Sequence, residues 1–201
     1  MEQIDIKDIS GAIQLTTLIN EGCKRKFTQM KEDYIMLKFS LDNPIYFKLG
    51  SYVECNFGLF EVCDLQKPAF NTNTAGYDYE LRLDAYYWKW KNKIFKYTPE
   101  TTGQEASWNL TAPLDVQAGI VLRNLKALGY TYKGQDFVFS IDSTVENKSQ
   151  LMSYDNINIL DACFEMAKKW DCECWVTENI IHFGRCESGD AVDFEIGKNV
   201  Q

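Results

Sequence analysis

Residues 77–97, "YDYELRLDAYYWKWKNKIFKY", contain the pattern that decides the fold of this chain. In the first half of this stretch, aromatic and aliphatic residues occupy the odd positions, while Asp78, Glu80, Arg82 and Asp84 occupy the even ones. Strict alternation of this kind predicts a long β-strand with one buried face and one solvated face. We expect the solvated face to be acidic, because carboxylates outnumber the single arginine there.

The second half, "AYYWKWKNKIFKY" from residue 85 to 97, interleaves aromatic rings with lysines. A platform for single-stranded nucleic acid would use such rings to stack on bases and such cations to bind phosphates. Alternatively, the segment is the end of the strand, and its rings fill a core or an interface. We favour this second interpretation, which places Trp88 and Trp90 on one face, partly exposed, with lysines opposite. With Tyr86 they form a candidate interface for a partner protein.

The composition of the chain argues against the nucleic-acid interpretation. The chain has 201 residues, 45% apolar and 25% charged, which is an ordinary globular balance, and its net charge is −8. Nucleic-acid-binding proteins usually present a basic face, so no specific nucleic-acid binding is expected. No apolar run is long enough for a transmembrane helix. The N-terminus lacks a signal-peptide pattern, and the odd number of cysteines, seven, then indicates reduced thiols in a cytoplasm.

Patterning along the chain predicts a β-rich first domain, a linker and a smaller α+β domain, and hence an α+β fold class with an excess of strand. Residues 1–98 show repeated period-two patterning between turn residues. Within them, Asn56-Phe57-Gly58 predicts a short hairpin with glycine where φ is positive. Residues 99–112 are predicted to be the linker, and residues 113–201 the α+β domain with two helices.

The two predicted helices carry recognisable ends. "PLDVQAGIVLRNLKALG" has Pro113 in its first turn and Gly129 as its stop. "NINILDACFEMAKKW" begins with Asn158 and Asp161, a plausible variant of the capping box. Two short strands, "CECWVTE" and "IIHFGR", follow the second helix.

Candidate catalytic residues are not evident. The chain has one histidine and lacks the P-loop, the nucleophile-elbow and the dinucleotide-binding motifs. Cys172, Cys174 and His182 are the only plausible metal ligands, but their spacing fits zinc poorly, and buried thiols are the favoured interpretation. Paired carboxylates could cleave a glycosidic bond, although the sequence singles out no such pair. We therefore expect no catalytic, cofactor or metal site.

The order of these elements resembles that of the baseplate hub, or tail-tip, proteins of phage tails, a group related to the N-terminal part of type VI secretion spike proteins. The first domain carries "GSYVEC", "GLFEVCDLQKP" and "YDYELRLDAYYWKWKNKIF". The second carries "MSYDNINILDACFEMAKKWDCECWVTENIIHFG". Its positions that match the family pattern are Asn156, Leu160, Asp161, Ala162, Ala167, Trp170, Val176, Ile181, Phe183 and Gly184.

The resemblance implies a structural role rather than an enzymatic one. Such hubs have a tube-like antiparallel β-barrel domain followed by an α+β domain, and they form trimers that cap the tail tube and connect it to the spike. Expected partners are therefore further copies of the chain and the tail tube, tape-measure and spike proteins. The expected location is the virion tail of a phage or prophage, after synthesis in the bacterial host cytoplasm. An acidic strand face would suit a channel for DNA.

Family members are often longer than this chain, with a further tube-like domain. The C-terminal sequence "FEIGKNVQ" shows no evident stop, so we expect the chain to be a fragment of such a protein.

Two other functions stay open at this point. A tail-associated enzyme that cleaves peptidoglycan would need a carboxylate pair or a metal. A carbohydrate-binding module would use Trp88, Trp90 and Trp175 as stacking platforms.

Overall fold

The computed structural model describes residues 3–97 and 103–185. Residues 98–102, which include the beginning of the predicted linker, lie outside the described residues. The C-terminal stretch from residue 186 lies outside them as well. Cys186 and the ending "FEIGKNVQ" belong to that stretch.

The first half of the chain forms one curled antiparallel sheet. Its eight strands are β1 (Gln3–Lys7), β2 (Ile13–Leu18), β3 (Lys24–Thr28), β4 (Glu32–Leu41), β5 (Tyr52–Cys55), β6 (Gly58–Glu61), β7 (Ala69–Asn71) and β8 (Gly76–Ala85). They lie in the order β2-β1-β5-β6-β8-β4-β3, and β7 pairs with β8 beside this path. The terminal strands of the sheet are thus β2 and β3.

The alternation that opens the sequence is confirmed in β8. Tyr79, Leu81 and Leu83 are buried on the concave face, directly opposite apolar residues of β4. Leu83 pairs with Ile35, for example, and both side chains belong to the core. Because β8 pairs with β4 over eight positions, this pair forms the backbone of the sheet.

The strand ends sooner than the sequence predicts. After Ala85 the chain turns into a 3₁₀ helix over Tyr86–Asn92, so the rings at 86–90 do not alternate between two strand faces. Bulky aromatics in succession suit a tight turn here because the rings can then enter the core from several directions. The predicted extension of the strand through Trp88 and Trp90 is wrong.

The predicted hairpin is confirmed. Cys55 pairs with Gly58 across a two-residue turn of Asn56 and Phe57. Gly58 has φ of +114°, a conformation that a residue with a Cβ rarely adopts.

The second half is an α+β unit built from short strands and two helices. Its elements are β9 (Ser107–Ala112), α1 (Leu114–Ala127), β10 (Thr131–Tyr132), β11 (Gln135–Asp136), β12 (Val138–Ile141), β13 (Gln150–Asp155), α2 (Ile159–Lys169), β14 (Glu173–Thr177) and β15 (Ile180–Gly184). β9 pairs with β13, β10 with β11, and the third sheet has the order β12-β15-β14. Residues 107–112 were expected in the linker, and they are instead a paired strand.

The start of α2 and the end of α1 have the capping residues that the sequence predicts. The Asn158 side chain accepts a hydrogen bond from the Asp161 backbone N–H at 2.9 Å, and its amide donates to the Asp161 carboxylate at 2.7 Å. Gly129 follows α1 with φ of +69°, the left-handed conformation that commonly stops a helix. Neither helix in the described part of the chain is long and apolar enough to span a bilayer.

The two halves share one continuous hydrophobic core. The segment after the 3₁₀ helix runs along the start of α2, where the Phe95 N–H donates to the Ile157 carbonyl at 2.8 Å and the Ile159 N–H to the Lys93 carbonyl at 2.9 Å. Phe95 and Ile159 are fully buried. The division into domains at residues 98 and 113 stays a prediction.

Candidate functional site

The aromatic segment joins the two halves of the chain. Trp90 is 0% exposed, and its ring meets Phe137 edge-on at a centroid distance of 4.9 Å. Tyr86 is also buried; it packs on Tyr132 and donates its hydroxyl proton to the Glu178 carbonyl. Burial raises the Tyr86 pKa, so its hydroxyl stays protonated.

The expectation that Trp90 is partly exposed at a strand end is therefore wrong. Trp88 is half-buried, and its ring packs on Phe164 of α2 at 6.2 Å. The physical reason is the 3₁₀ turn, which directs Tyr86 and Trp90 into the junction between the sheet and the α+β unit. A role for Trp88, Trp90 and Tyr86 in contacts with a partner stays a prediction.

The lysines of this segment are placed individually rather than along one strand face. Lys89 pairs with Glu61 of β6 at 3.0 Å, and the Lys91 ammonium lies 4.9 Å from the centre of the Trp88 ring. Because Tyr86 and Trp90 are buried, those rings are not exposed to stack on bases.

The solvated face of β3, β4 and β8 is balanced in charge, whereas an acidic face was expected. Register places eight ionisable side chains there: Lys24, Lys26, Lys38 and Arg82, with Glu32, Asp78, Glu80 and Asp84. Lys38 pairs with Glu80, and Arg82 with Asp84 at 2.7 Å. Three of the four cations come from β3 and β4, which the sequence could not place beside β8, so the face has no excess of carboxylates.

The two edges of the curled sheet differ in character. β2, "IQLTTL", has no charged residue, and Ile13 and Leu18 are exposed there. β3, "KRKFT", has three cations in five residues. Cations on an edge strand discourage unplanned pairing, so the structure leaves β2 as the edge that is open to another strand.

A groove of about 550 Å³ lies at the end of the concave face, between the sheet and the α+β unit. The sheet contributes the β5–β6 turn and the ends of β3, β4 and β8, and the α+β unit contributes β14 and the tips of two hairpins. The groove lining includes Arg25, Asp33, Asn56, Phe57, Trp175 and Glu178.

On the sheet side, an ion pair and aromatic rings form the groove wall. The Arg25 guanidinium binds the buried Asp33 carboxylate through two hydrogen bonds, of 2.9 and 3.1 Å. Its central carbon also lies 4.9 Å from the Phe57 ring centre and 5.8 Å from that of Phe60. Arg25 therefore connects the edge strand β3 to the β5–β6 hairpin across the open side of the sheet.

Sequence reasoning missed this ion pair, although a signal was present. Asp33 shares the odd-numbered face of β4 with Ile35 and Leu37, which are core residues. A carboxylate on an apolar strand face indicates a buried partner. The partner, Arg25, could not be chosen without the register of β3 against β4.

On the α+β side, Trp175 and His182 form a stacked pair. The two rings are cross-strand neighbours, 5.0 Å apart and nearly parallel at 7°. The His182 Nε2 lies 2.6 Å from the Thr177 hydroxyl, and burial lowers the His182 pKa below its ordinary value. Trp175 is half-buried and is one of the residues that line the groove.

The groove carboxylates do not form an acid–base pair. Asp33 is bound by Arg25, and Glu54 is bound by Lys133, whose proximity lowers the Glu54 pKa. A glycosidase needs one carboxyl group that stays protonated at working pH, whereas Lys133 favours the anionic form of Glu54, and both Asp33 oxygens accept hydrogen bonds from Arg25.

The candidate metal ligands from the sequence do not lie together. Cys174 is buried beside Cys163 of α2, while His182 lies on the opposite face of the same sheet against Trp175. Burial and nearby carboxylates raise the Cys172 pKa to about 11, so this thiol is protonated at neutral pH. Within residues 3–97 and 103–185, no three His, Cys, Asp or Glu side chains form a group that could hold a metal.

A curled antiparallel sheet followed by a two-helix α+β unit is a fold found in phage tail proteins. The chain is similar to the prophage tail protein gp18 of Listeria monocytogenes EGD-e, with a TM-score of 0.58, 12% identity and coverage of 92% of this chain and 51% of that one. It is similar also to the 43 kDa tail protein of prophage MuSo2 from Shewanella oneidensis, with a TM-score of 0.59, 14% identity and coverage of 86% and 52%. The chain thus spans about half the length of either structure.

These likenesses concern structure rather than sequence. No protein-family description matches the chain, and no curated protein matches its sequence. The resemblance inferred from the sequence is confirmed at the level of the fold: the chain is β-rich α+β and shares its architecture with prophage tail proteins.

Proposed function

We propose that this chain is a structural component of a phage or prophage tail. Within the tail it belongs to the baseplate hub or tail tip, where it caps the tail tube and connects it to the spike or host-contact apparatus. The observation that carries this proposal is the shared fold, which extends over 92% and 86% of the chain in two prophage tail proteins. Its location is the virion tail.

The open sheet supports a role in assembly. Strands β2 and β3 each lack a neighbour on one side within the described residues, and the uncharged edge β2 is the one that can add a strand from another chain readily. A head-to-tail contact between an edge of one copy and a different surface of the next closes into a ring when the rotation fits. The proposed assembly is a trimer in contact with tail tube, tape-measure and spike proteins.

A non-enzymatic role accords with the site. Of the three groove carboxylates, Asp33 and Glu54 are bound by cations, so Glu178 is not accompanied by the second free carboxyl group that a peptidoglycan-cleaving enzyme needs as nucleophile or base.

Immunogold electron microscopy of tails from an induced lysate tests this role. An antibody raised against the chain should label one end of the tail, since a hub or tip is a single assembly at that end. Particles from a strain that lacks the gene provide the control. Label along the whole tube, or on the capsid alone, would contradict the proposal.

The oligomeric state gives a second test. Light scattering at high concentration should show a monomer or a weak trimer, because the chain spans half of the related structures. Leu18→Lys places a charge on the exposed β2 edge and should abolish any trimer without unfolding the chain. Lys24→Glu on the other edge, where the side chain is exposed, keeps that edge charged and serves as the matched control. A stable dimer with twofold symmetry would count against a threefold hub.

A further inference from the structure

We infer that the groove between the sheet and the α+β unit binds a neutral oligosaccharide, with Trp175 as its stacking platform. This inference goes beyond a role in tail assembly and does not depend on it. It rests on the aromatic surfaces of the groove, its unpaired hydrogen-bonding groups and its charge.

Aromatic surfaces meet in the groove from both halves of the chain. Trp175 comes from β14; His182 covers one face of its indole, and the residue is half-buried and lines the groove. Phe57 comes from the β5–β6 turn and is 61% exposed. The C–H faces of a pyranose ring are apolar and flat enough to pack on such rings, which are otherwise costly to leave in water.

Polar groups lie beside these rings without partners in the protein. The Asn56 amide, the Glu178 carboxylate and the Trp175 indole N–H make no hydrogen bond to the described part of the chain, and all three residues line the groove. Sugar hydroxyls both donate and accept hydrogen bonds, so they match an amide, a carboxylate and an indole together. A purely apolar ligand would displace water from these groups without replacing the lost hydrogen bonds.

The charge of the groove selects against anionic ligands. Its lining holds two cations, Arg25 and Lys133, and three carboxylates, Asp33, Glu54 and Glu178. Both cations already form salt bridges with the other two carboxylates, so Glu178 receives only the longer-range attraction of Lys133, and the groove as a whole has one excess negative charge. A phosphate or a uronic acid would therefore meet repulsion, whereas a neutral sugar would not.

Size and rigidity also fit a short oligosaccharide. A groove of about 550 Å³ lies within the range for sites that hold small ligands. Its walls are held by the Arg25–Asp33 ion pair, the hydrogen bond from Tyr86 to the Glu178 carbonyl, and the Trp175–His182 stack. A preformed wall lowers the entropic cost of binding.

The carbohydrate function considered from the sequence relied on three tryptophans. Trp90 is fully buried, and Trp88 packs on α2 outside the groove, so neither presents a platform there. Only Trp175 of the three lines the groove.

Ligand-observed NMR titration of the whole chain with chitotetraose and maltotetraose tests the inference, with tetragalacturonate as an anionic comparison. We expect saturable binding of at least one neutral oligosaccharide and weaker binding of the anionic one. Trp175→Ala should weaken that binding by at least about tenfold, the effect of losing a central aromatic anchor. Trp88→Ala removes an indole outside the groove and should leave affinity within about twofold.

A second variant protects the test against misfolding. Asn56→Ala lies on an exposed turn, so the fold should persist by circular dichroism, while loss of one hydrogen bond should weaken binding about threefold to tenfold. Absence of saturable binding by both neutral sugars would overturn the inference. Binding that neither variant weakens, or a preference for the anionic sugar, would overturn it as well.

Discussion

The two halves of this molecule bury their residues in different ways. In α2 the side chains of Ile159, Leu160 and Met166 are completely inaccessible, because the helix is packed by α1, two strands and the 3₁₀ helix. In the sheet, β8 is equally buried on one face, but the edge strands β2 and β3 leave most of their residues exposed or half-buried. The helical core of the α+β unit is thus closed, and the curled sheet is open at both edges.

This difference shows where stability and assembly are located. The curled sheet keeps rows of free N–H and C=O groups along β2 and β3, and the α+β unit has edge strands of its own, β12 and β14, beside its buried helices. The junction segment, residues 86–97, joins the sheet to the α+β unit, because Trp90 and Phe95 are buried in the hydrophobic core that both halves share. Mutations at the junction should therefore cost more than mutations at the edges.

The largest effect is expected from Trp90→Ala. The ring is fully buried and contacts Phe137, so truncation should lower the free energy of unfolding by about 3–5 kcal/mol. Urea denaturation followed by far-UV circular dichroism measures this. Trp90→Phe keeps a ring and removes a buried indole N–H that lacks a partner, so it should cost less. If Trp90→Ala and half-buried Trp88→Ala cost the same, the junction is not the shared core described above.

Leu83→Ala compares the centre of the sheet with its edge. Leu83 is fully buried opposite Ile35, and its truncation should cost about 2–5 kcal/mol. Ile13→Ala on β2, where the side chain is exposed, should change the stability by less than about 0.5 kcal/mol. Chemical denaturation measures both losses of unfolding free energy. Equal losses at the two sites would contradict the distinction between the buried centre and the exposed edge of the sheet.

Asn158→Ala tests the closed unit at the start of α2. Loss of the cap to the Asp161 N–H should cost about 0.5–2 kcal/mol. Asn158→Ser keeps an acceptor at the same position without placing a second carboxylate beside Asp161, and it should recover most of that loss. If the cap stabilises the helix, the free energy of unfolding should fall most in the alanine variant and less in the variant that keeps an acceptor. An unchanged stability in Asn158→Ala would mean that packing alone holds the helix end.

The smallest effect is expected from His182 and appears only as a dependence on pH. Burial lowers the His182 pKa in the folded chain, so the unfolded chain binds the proton more readily between the folded value and about 6.5. Stability should therefore rise with pH through that window and fall as the pH drops below about 6.5. His182→Gln should flatten the thermal midpoint between about pH 5 and 7, whereas Thr177→Val should leave the slope in place. A midpoint that falls with rising pH in the original protein would contradict the assigned shift.

Local sequence by itself determined much of this protein. The alternation in residues 77–84, the glycine turn after Phe57, and the two capped helices were all predictable, because each depends on neighbours within a few residues. The family pattern has the same basis: Leu160, Ala162 and Phe183 are core residues. The resemblance to tail proteins therefore reflected packing, and the shared fold confirms it.

Tertiary structure alone decided the remaining features. Whether Trp90 was core or surface depended on the 3₁₀ turn after Ala85, and a run of rings is compatible with both outcomes. The charge of the β8 face depended on register with β3 and β4, and the groove depended on Arg25 meeting Asp33 and Phe57 from different strands. Such contacts join residues that are distant in sequence, and no local pattern records which strand will lie beside which.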